Sequence, residues 1–203
     1  MLRFIWIWIL IHCSLGAQSK TIHVNNHKGL AGVQDAINIA QLYDEILLEE
    51  GVYTGEGLYI NKPIILRGNN NVILDGGEKV TILTIEGTAA LVEGLTFRNT
   101  GYSSVEERCA IKLLSARGCI ITNNKIEHCC FGIMLMKSGH SIITDNNINA
   151  TNIHEQRSGN GIHGWQSDSL TIRNNNIQGH RDGIYFEFVT CTGVYNNKSI
   201  NNL

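Results

Sequence analysis

The chain has 203 residues and a formal net charge of -2, with 21 glycines and a single proline, Pro63. That length allows one or two domains, and the lack of a basic field disfavours a general nucleic-acid or polyanion binder. Abundant Gly and Asn point to a β-rich protein of tight turns, because both residues tolerate left-handed backbone.

The opening segment, residues 1–17, is expected to be a secretory signal: Arg3 precedes an apolar run from Phe4 to Ile11, and small residues end near Gly16 or Ala17. The run is well short of the roughly 20 residues that span a bilayer, so no transmembrane span is expected in the mature chain. Export would make the protein periplasmic or secreted. Next, "GLAGVQDAINIAQLYDEI" places Val33, Ala36, Ile37 and Ala40 on one helical face. That spacing predicts a short amphipathic helix that closes the N-terminal end of the following core.

From there the chain repeats. A G/A-I frame recurs at Ala110, Gly132, Gly161 and Gly183, with steps of 22, 29 and 22 residues. A preceding N-N-x-I element or its equivalent ends at Phe97, Ile126, Ile148 and Ile177, with steps of 29, 22 and 29. Both series describe one coil of 22 residues, sometimes lengthened by seven, and the extra residues fall at one corner, before Ala110 and before Gly161. Segments such as "AIKLL", "GIMLM" and "LTIRNNNI" alternate apolar with polar residues, which is strand periodicity.

A return to register every 22 residues predicts an all-β parallel β-helix and not a sandwich; the rule for parallel crossovers makes it right-handed. Asn123 and Asn124, Asn146 and Asn147, Asn174 and Asn175, and Asn196 and Asn197 take matching places. With coils about 4.8 Å apart, such residues predict an amide ladder. Residues 18–203 are expected to be a single β-helix domain, incomplete at its C-terminal end, since "VYNNKSINNL" stops partway through a coil.

Side chains alternate faces along a strand. Ile111, Ile133, Ile162 and Ile184 therefore mark the core, and the next position, Lys112, Met134, His163 and Tyr185, points outward. Two residues further on, Leu114, Met136, Trp165 and Glu187 extend this into an expected exposed stripe. The insertion corner carries His128, His154 and His180, with Cys129, Glu155, Arg157 and Asp182 nearby. Beyond the signal, Cys109, Cys119, Cys129, Cys130 and Cys191 have neither a disulfide framework nor zinc-type spacing, and read mostly as buried packing residues.

The stretch "GNGIHGWQSDSLTIRNNNIQGHRDGIYFEFVT" closely resembles the NosD family of periplasmic nitrous-oxide reductase maturation proteins, which belongs to the pectin-lyase-like, carbohydrate-binding and sugar-hydrolase type of β-helix. The resemblance runs from about Thr21 to the end, and its specific part is Gly159 to Thr190. It implies an accessory protein and not an enzyme, with no catalytic residues. Such a protein works beside an ABC-type transporter in assembling the copper-sulfur centre of nitrous-oxide reductase. This chain departs from the family by ending where members continue, and by having Gly164 where a larger apolar residue is expected.

Thioether and imidazole ligands suit copper(I), so Met134, Met136 and His163 are candidate metal ligands. His128, His154, Glu155, Trp165, His180, Asp182, Tyr185 and Glu187 are a candidate partner or ligand surface. Carbohydrate binding or degradation stays open as the other class: Trp165 and Tyr185 could stack on sugar rings, and Asp145, Asp168, Asp182 and Glu187 supply carboxylates. No Asp pair repeats at one coil position, which weakens that reading.

Overall fold

A computed structural model describes residues 19–69, 71–150 and 158–203. The expected signal lies outside the described residues, as do His154 and Glu155. The chain forms a right-handed parallel β-helix whose strands build three parallel sheets of eight, six and seven strands. Among the described residues, no helix is long and apolar enough to cross a membrane.

The repeat sets the register directly. Ile111, Ile133, Ile162 and Ile184 pair in one column of the six-stranded sheet. Val92, Ile121, Ile143 and Ile172 pair in the eight-stranded sheet, and Phe97, Ile126, Ile148 and Ile177 in the seven-stranded one. The last two columns are fully buried, and each such side chain contributes roughly 1.5–3 kcal/mol of apolar transfer. The coil is thus a triangular tube filled by stacked β-branched and aromatic side chains.

The expected helix is present as Gly29–Ile39. Leu30, Val33, Ala36 and Ile37 are buried, so its apolar face covers the end of the tube. Gly29 has φ 55°, and a Cβ there would lie 2.2 Å from the Thr54 carbonyl oxygen, so only glycine fits this entry turn. Buried Tyr53 ties the first coils together through its hydroxyl, 2.8 Å from the carbonyl oxygens of both Val24 and Glu49.

The amide ladder exists, with one change of register. Asn124, Asn146, Asn175 and Asn197 stack along the corner between the eight- and seven-stranded sheets, each Nδ2 donating to the next Oδ1 at 3.1, 3.0 and 2.9 Å. Each Oδ1 also accepts from the backbone N–H of the preceding coil. The residues just before them, Asn123, Asp145, Asn174 and Asn196, all adopt φ of 55–58°. The matching pair in the second of these coils is therefore Asp145 and Asn146, not Asn146 and Asn147. Asp145 takes the left-handed place, and Asn147 begins the next strand with its side chain exposed.

Gly164 continues the inward column of Leu113 and Leu135, and pairs with Phe186. A Cβ on Gly164 would meet Phe186 Cδ1 at 2.9 Å and Val189 Cγ2 at 3.1 Å. The Phe186 ring occupies the space that the expected larger residue would fill. Four of the five described cysteines are buried and Cys191 is exposed; none is disulfide-bonded.

Candidate functional site

The outer face of the six-stranded sheet carries two side-chain columns set by register. One runs Tyr59, Thr84, Lys112, Met134, His163, Tyr185, and the other Glu86, Leu114, Met136, Trp165, Glu187. Within these columns a cleft of about 200 Å³ is lined by Glu107, Met134, Met136, His163, Trp165 and Glu187. The three candidate ligands Met134, Met136 and His163 thus share one cleft. It adjoins a wider polar cleft of about 660 Å³ that shares Glu107 and Met136 and adds Lys79, Arg108 and Lys112.

The expected exposed stripe is not uniformly exposed. Met134 points away from the tube but is only 1% exposed, packed with Cys109, Cys130 and Phe131 in a small second cluster against which Met136 rests. The cause is the corner insertion. Residues between Gly101 and Cys109 carry Glu107 to the rim, and Phe131 lies against Gly159 at the end of the second insertion. Sulfur therefore forms the floor of the cleft, with Met134 deepest and Met136 partly accessible. Tyr185 and Glu187 are exposed as expected, whereas Trp165 is partly buried.

His163 is held from three sides. Its Nδ1 lies 3.0 Å from Asn160 Nδ2, its ring centroid is 5.8 Å from Phe131 and 5.3 Å from Tyr185, and both rings are inclined to it. Burial pushes its pKa below the ordinary value of 6.5, with Arg181 adding to the shift and Glu107 opposing it. The imidazole is thereby kept neutral, the form that can ligate a metal. Lys137 Nζ stands 5.5 Å from the Trp165 ring centroid, a cation–π contact at the rim.

The histidines of the insertion corner do not make one surface. His128 is exposed and has φ 51°, whereas His180 is fully buried. Counting on from the Glu127–Asn149–Gln178 register puts His128 level with Gly179, and His180 one residue further, level with buried Cys129. One residue along a strand changes the face, so His180 points inward. Neither ring nitrogen of His180 has a hydrogen-bond partner among the described residues. Burial pulls its pKa to about 4, and the backbone of Gly159 and Cys130 opposes that shift without meeting hydrogen-bond geometry.

The carboxylates are dispersed. Asp168 forms a two-pronged ion pair with Arg117, both bonds 3.1 Å; Asp182 pairs with Arg181, and Asp145 accepts from Thr144. Glu107 and Asn160 belong to the site and were not singled out by pattern. Their signal lies in position alone: Glu107 within the seven-residue insertion, and Asn160 three residues before His163. Among the described residues no group of three or more His, Cys, Asp or Glu side chains is placed to hold a metal. A metal in the cleft would depend on thioethers.

The family model described as "Periplasmic copper-binding protein (NosD)" matches residues 36–203. A protein of Pseudomonas aeruginosa PAO1, named "Probable ABC transporter binding protein NosD", is 32% identical over 138 residues. That match spans 67% of this chain and 32% of the relative, so the chain covers about a third of its length. Among solved structures, the polygalacturonase of Erwinia carotovora ssp. carotovora aligns with TM-score 0.68 at 13% identity, over 89% of this chain and 62% of that one. The alginate lyase of Paenibacillus sp. str. FPU-7 aligns with TM-score 0.62 at 18% identity, over 89% and 76%. At such identities the two enzymes share the fold with this chain and nothing further follows.

Proposed function

This chain belongs to the NosD family, described as periplasmic and copper-binding, and from that premise we propose that it is an exported accessory protein with copper(I) as its cargo. The cargo is held in the cleft of Met134, Met136 and His163, on its way to the copper-sulfur centre of nitrous-oxide reductase. The observation that carries the reading is the convergence of two thioethers and one neutral imidazole in a single cleft. These are soft or borderline neutral donors, which prefer copper(I) to the harder cations. Glu107 and Glu187 at the rim add negative charge that draws a cation inward.

Such a donor set suits passage better than storage. Thioethers are uncharged and weaker than thiolate or sulfide, so a copper ion held here moves downhill to a sulfur-rich acceptor. Met136, partly accessible, is the first contact, and Met134 is the deeper one. An ABC-type transporter is the partner implied by the relative's name, and the insertion corner beside the cleft is the edge proposed to dock. No bond is made or broken in the protein, so the role is not that of an enzyme.

The test is an anaerobic copper(I) titration against a competing chelator. The parent is expected to take one equivalent. Met134→Leu with Met136→Leu, or His163→Gln alone, is expected to weaken binding at least roughly tenfold. Leucine removes sulfur while keeping volume, which matters because alanine at buried Met134 would open a cavity. A folded parent that cannot compete ends the copper reading. A second reading, a sugar-binding face, is favoured by Trp165 lying beside two carboxylates in the same cleft. On that reading Trp165→Ala abolishes oligosaccharide binding and leaves copper(I) affinity unchanged.

A further inference from the structure

Behind the cleft lies a layer of sulfur that the candidate site leaves unused. Cys109, Cys130, Phe131 and Met134 form a small buried cluster apart from the tube core, with Met136 packed against it. Met134 is the link, being both the floor of the cleft and a member of the cluster. A copper(I) ion drawn to a residue only 1% exposed must shed its water. Burying that charge among neutral donors is costly unless a counter-charge is buried with it. Two thioethers and a neutral imidazole supply none, and the carboxylates of Glu107 and Glu187 belong to exposed residues at the rim.

Within the cluster the two thiols are the groups that can become anions, and thiolate is a donor that soft copper(I) selects. Their surroundings separate them. Cys109 is completely buried, and its Sγ lies 3.8 Å from Thr81 Oγ1 of the preceding coil. Cys130 is 8% exposed and is tied to the coil of His163. Its carbonyl accepts from Gly159 N–H at 3.1 Å, and the side chain of the next residue, Asn160, meets His163 Nδ1 at 3.0 Å. Phe131, the chain neighbour of Cys130, has its ring centroid 5.8 Å from that of His163. Arg181 and Glu107 act electrostatically on both Cys130 and His163, and the Arg181 charge favours a thiolate at Cys130.

We propose that Cys130 is a further copper(I) ligand, supplying the single anionic donor of the Met134, Met136 and His163 site. As copper binds, the thiol gives its proton to solvent and the thiolate sulfur bonds the metal, which stays monovalent. The bound unit is then neutral. When copper leaves, the proton returns and the chain is unchanged. This inference rests on the copper reading of the cleft and names the donor that makes a buried position for the ion tolerable. One thiolate among thioethers still lets copper pass to an acceptor richer in sulfide or thiolate.

The experiment uses the full chain carrying Cys13→Ser and Cys191→Ser, so that the remaining thiols are the four buried ones. Copper(I) is added anaerobically at neutral pH in weak buffer, up to one equivalent. Thiolate-to-copper charge-transfer absorption in the near ultraviolet and protons released to the buffer are recorded together. A new band and one proton per copper are expected, since a metal-bound thiol must lose its proton. Cys130→Ser is expected to abolish the band and to weaken copper(I) binding at least about tenfold, no less than the loss of an outer-shell partner. Cys109→Ser should keep the band and bind within roughly threefold of the parent. The parent and Cys109→Ser readings are made with Cys130 intact, and they decide the matter if Cys130→Ser does not fold.

A chain that takes copper(I) from the competing chelator yet gives neither band nor proton overturns the inference and leaves the copper reading standing. So does a band that is lost in Cys109→Ser or kept in Cys130→Ser. A folded chain that binds no copper(I) overturns both.

Discussion

At the corner between the eight- and seven-stranded sheets, four successive coils place an asparagine at one position and a left-handed residue just before it. At the corner between the seven- and six-stranded sheets, two coils carry seven extra residues, and the level of buried Cys129 is taken by His180 two coils later. The two corners belong to the same tube. They differ in what the backbone requires: at the first, each of these coils leaves an N–H that the asparagine Oδ1 of the next coil accepts, which holds the position to one residue type over four coils. At the second, inserted segments make their own backbone bonds, as between Gly159 N–H and the Cys130 carbonyl, and side chains are free to differ. Chemistry gathers where the repeat imposes least.

Breaking the first corner should have the largest effect. Asn146 donates to the carbonyls of Ile121 and Thr144 and to Asn175 Oδ1, and accepts from Asn124. Asn146→Leu strands several buried groups, and a loss of about 4 kcal/mol is expected from the denaturant midpoint. The next effect belongs to the second corner and to pH. His180 is neutral when folded, with its pKa drawn down from 6.5 to about 4, so the unfolded chain takes up its proton first as pH falls. Stability is therefore full above pH 6.5 and declines toward pH 4, by about 3 kcal/mol in all. His180→Leu should remove that decline in acid-unfolding curves.

A smaller effect sharpens the contrast between site and scaffold. Met134→Leu with Met136→Leu should change stability by less than about 1.5 kcal/mol while lowering copper(I) affinity, because the swap conserves volume. A large stability loss instead would mean that the two sulfurs serve packing. Least of all, Arg117→Ala should leave stability nearly unchanged, since its pair with Asp168 is exposed on both sides. A thermal melt of that variant matching the parent would confirm that this surface pair does not hold the coils.

The comparison also explains which features were legible in the chain. The coil length, the inward isoleucines and the asparagine ladder are local patterns returning at fixed spacing, and each is present, the ladder with one pair moved back by a residue to Asp145 and Asn146. The nearness of Met134, Met136 and His163 was legible for the same reason, since one register joins the two adjacent strands that carry them. What failed to show was anything made by the insertions. The cover over Met134 and the arrival of Glu107 depend on how extra residues fold back, and no periodicity encodes that. His180 does not share the face of His128 because it stands three residues after Ile177 whereas His128 stands two after the paired Ile126, and one residue turns an outward position into an inward one. Asn160 has no repeated counterpart, and its 3.0 Å contact with His163 Nδ1 follows from no pattern in the chain.

Gly164 and Phe186 give this architecture a second meaning. The missing side chain of one coil is supplied by the next, 22 residues later, so the filled unit is the pair. Divergence in such a protein need not conserve any single place along the chain. It can drift like a column of unequal bricks, each course correcting the one below, provided the height of the wall is kept.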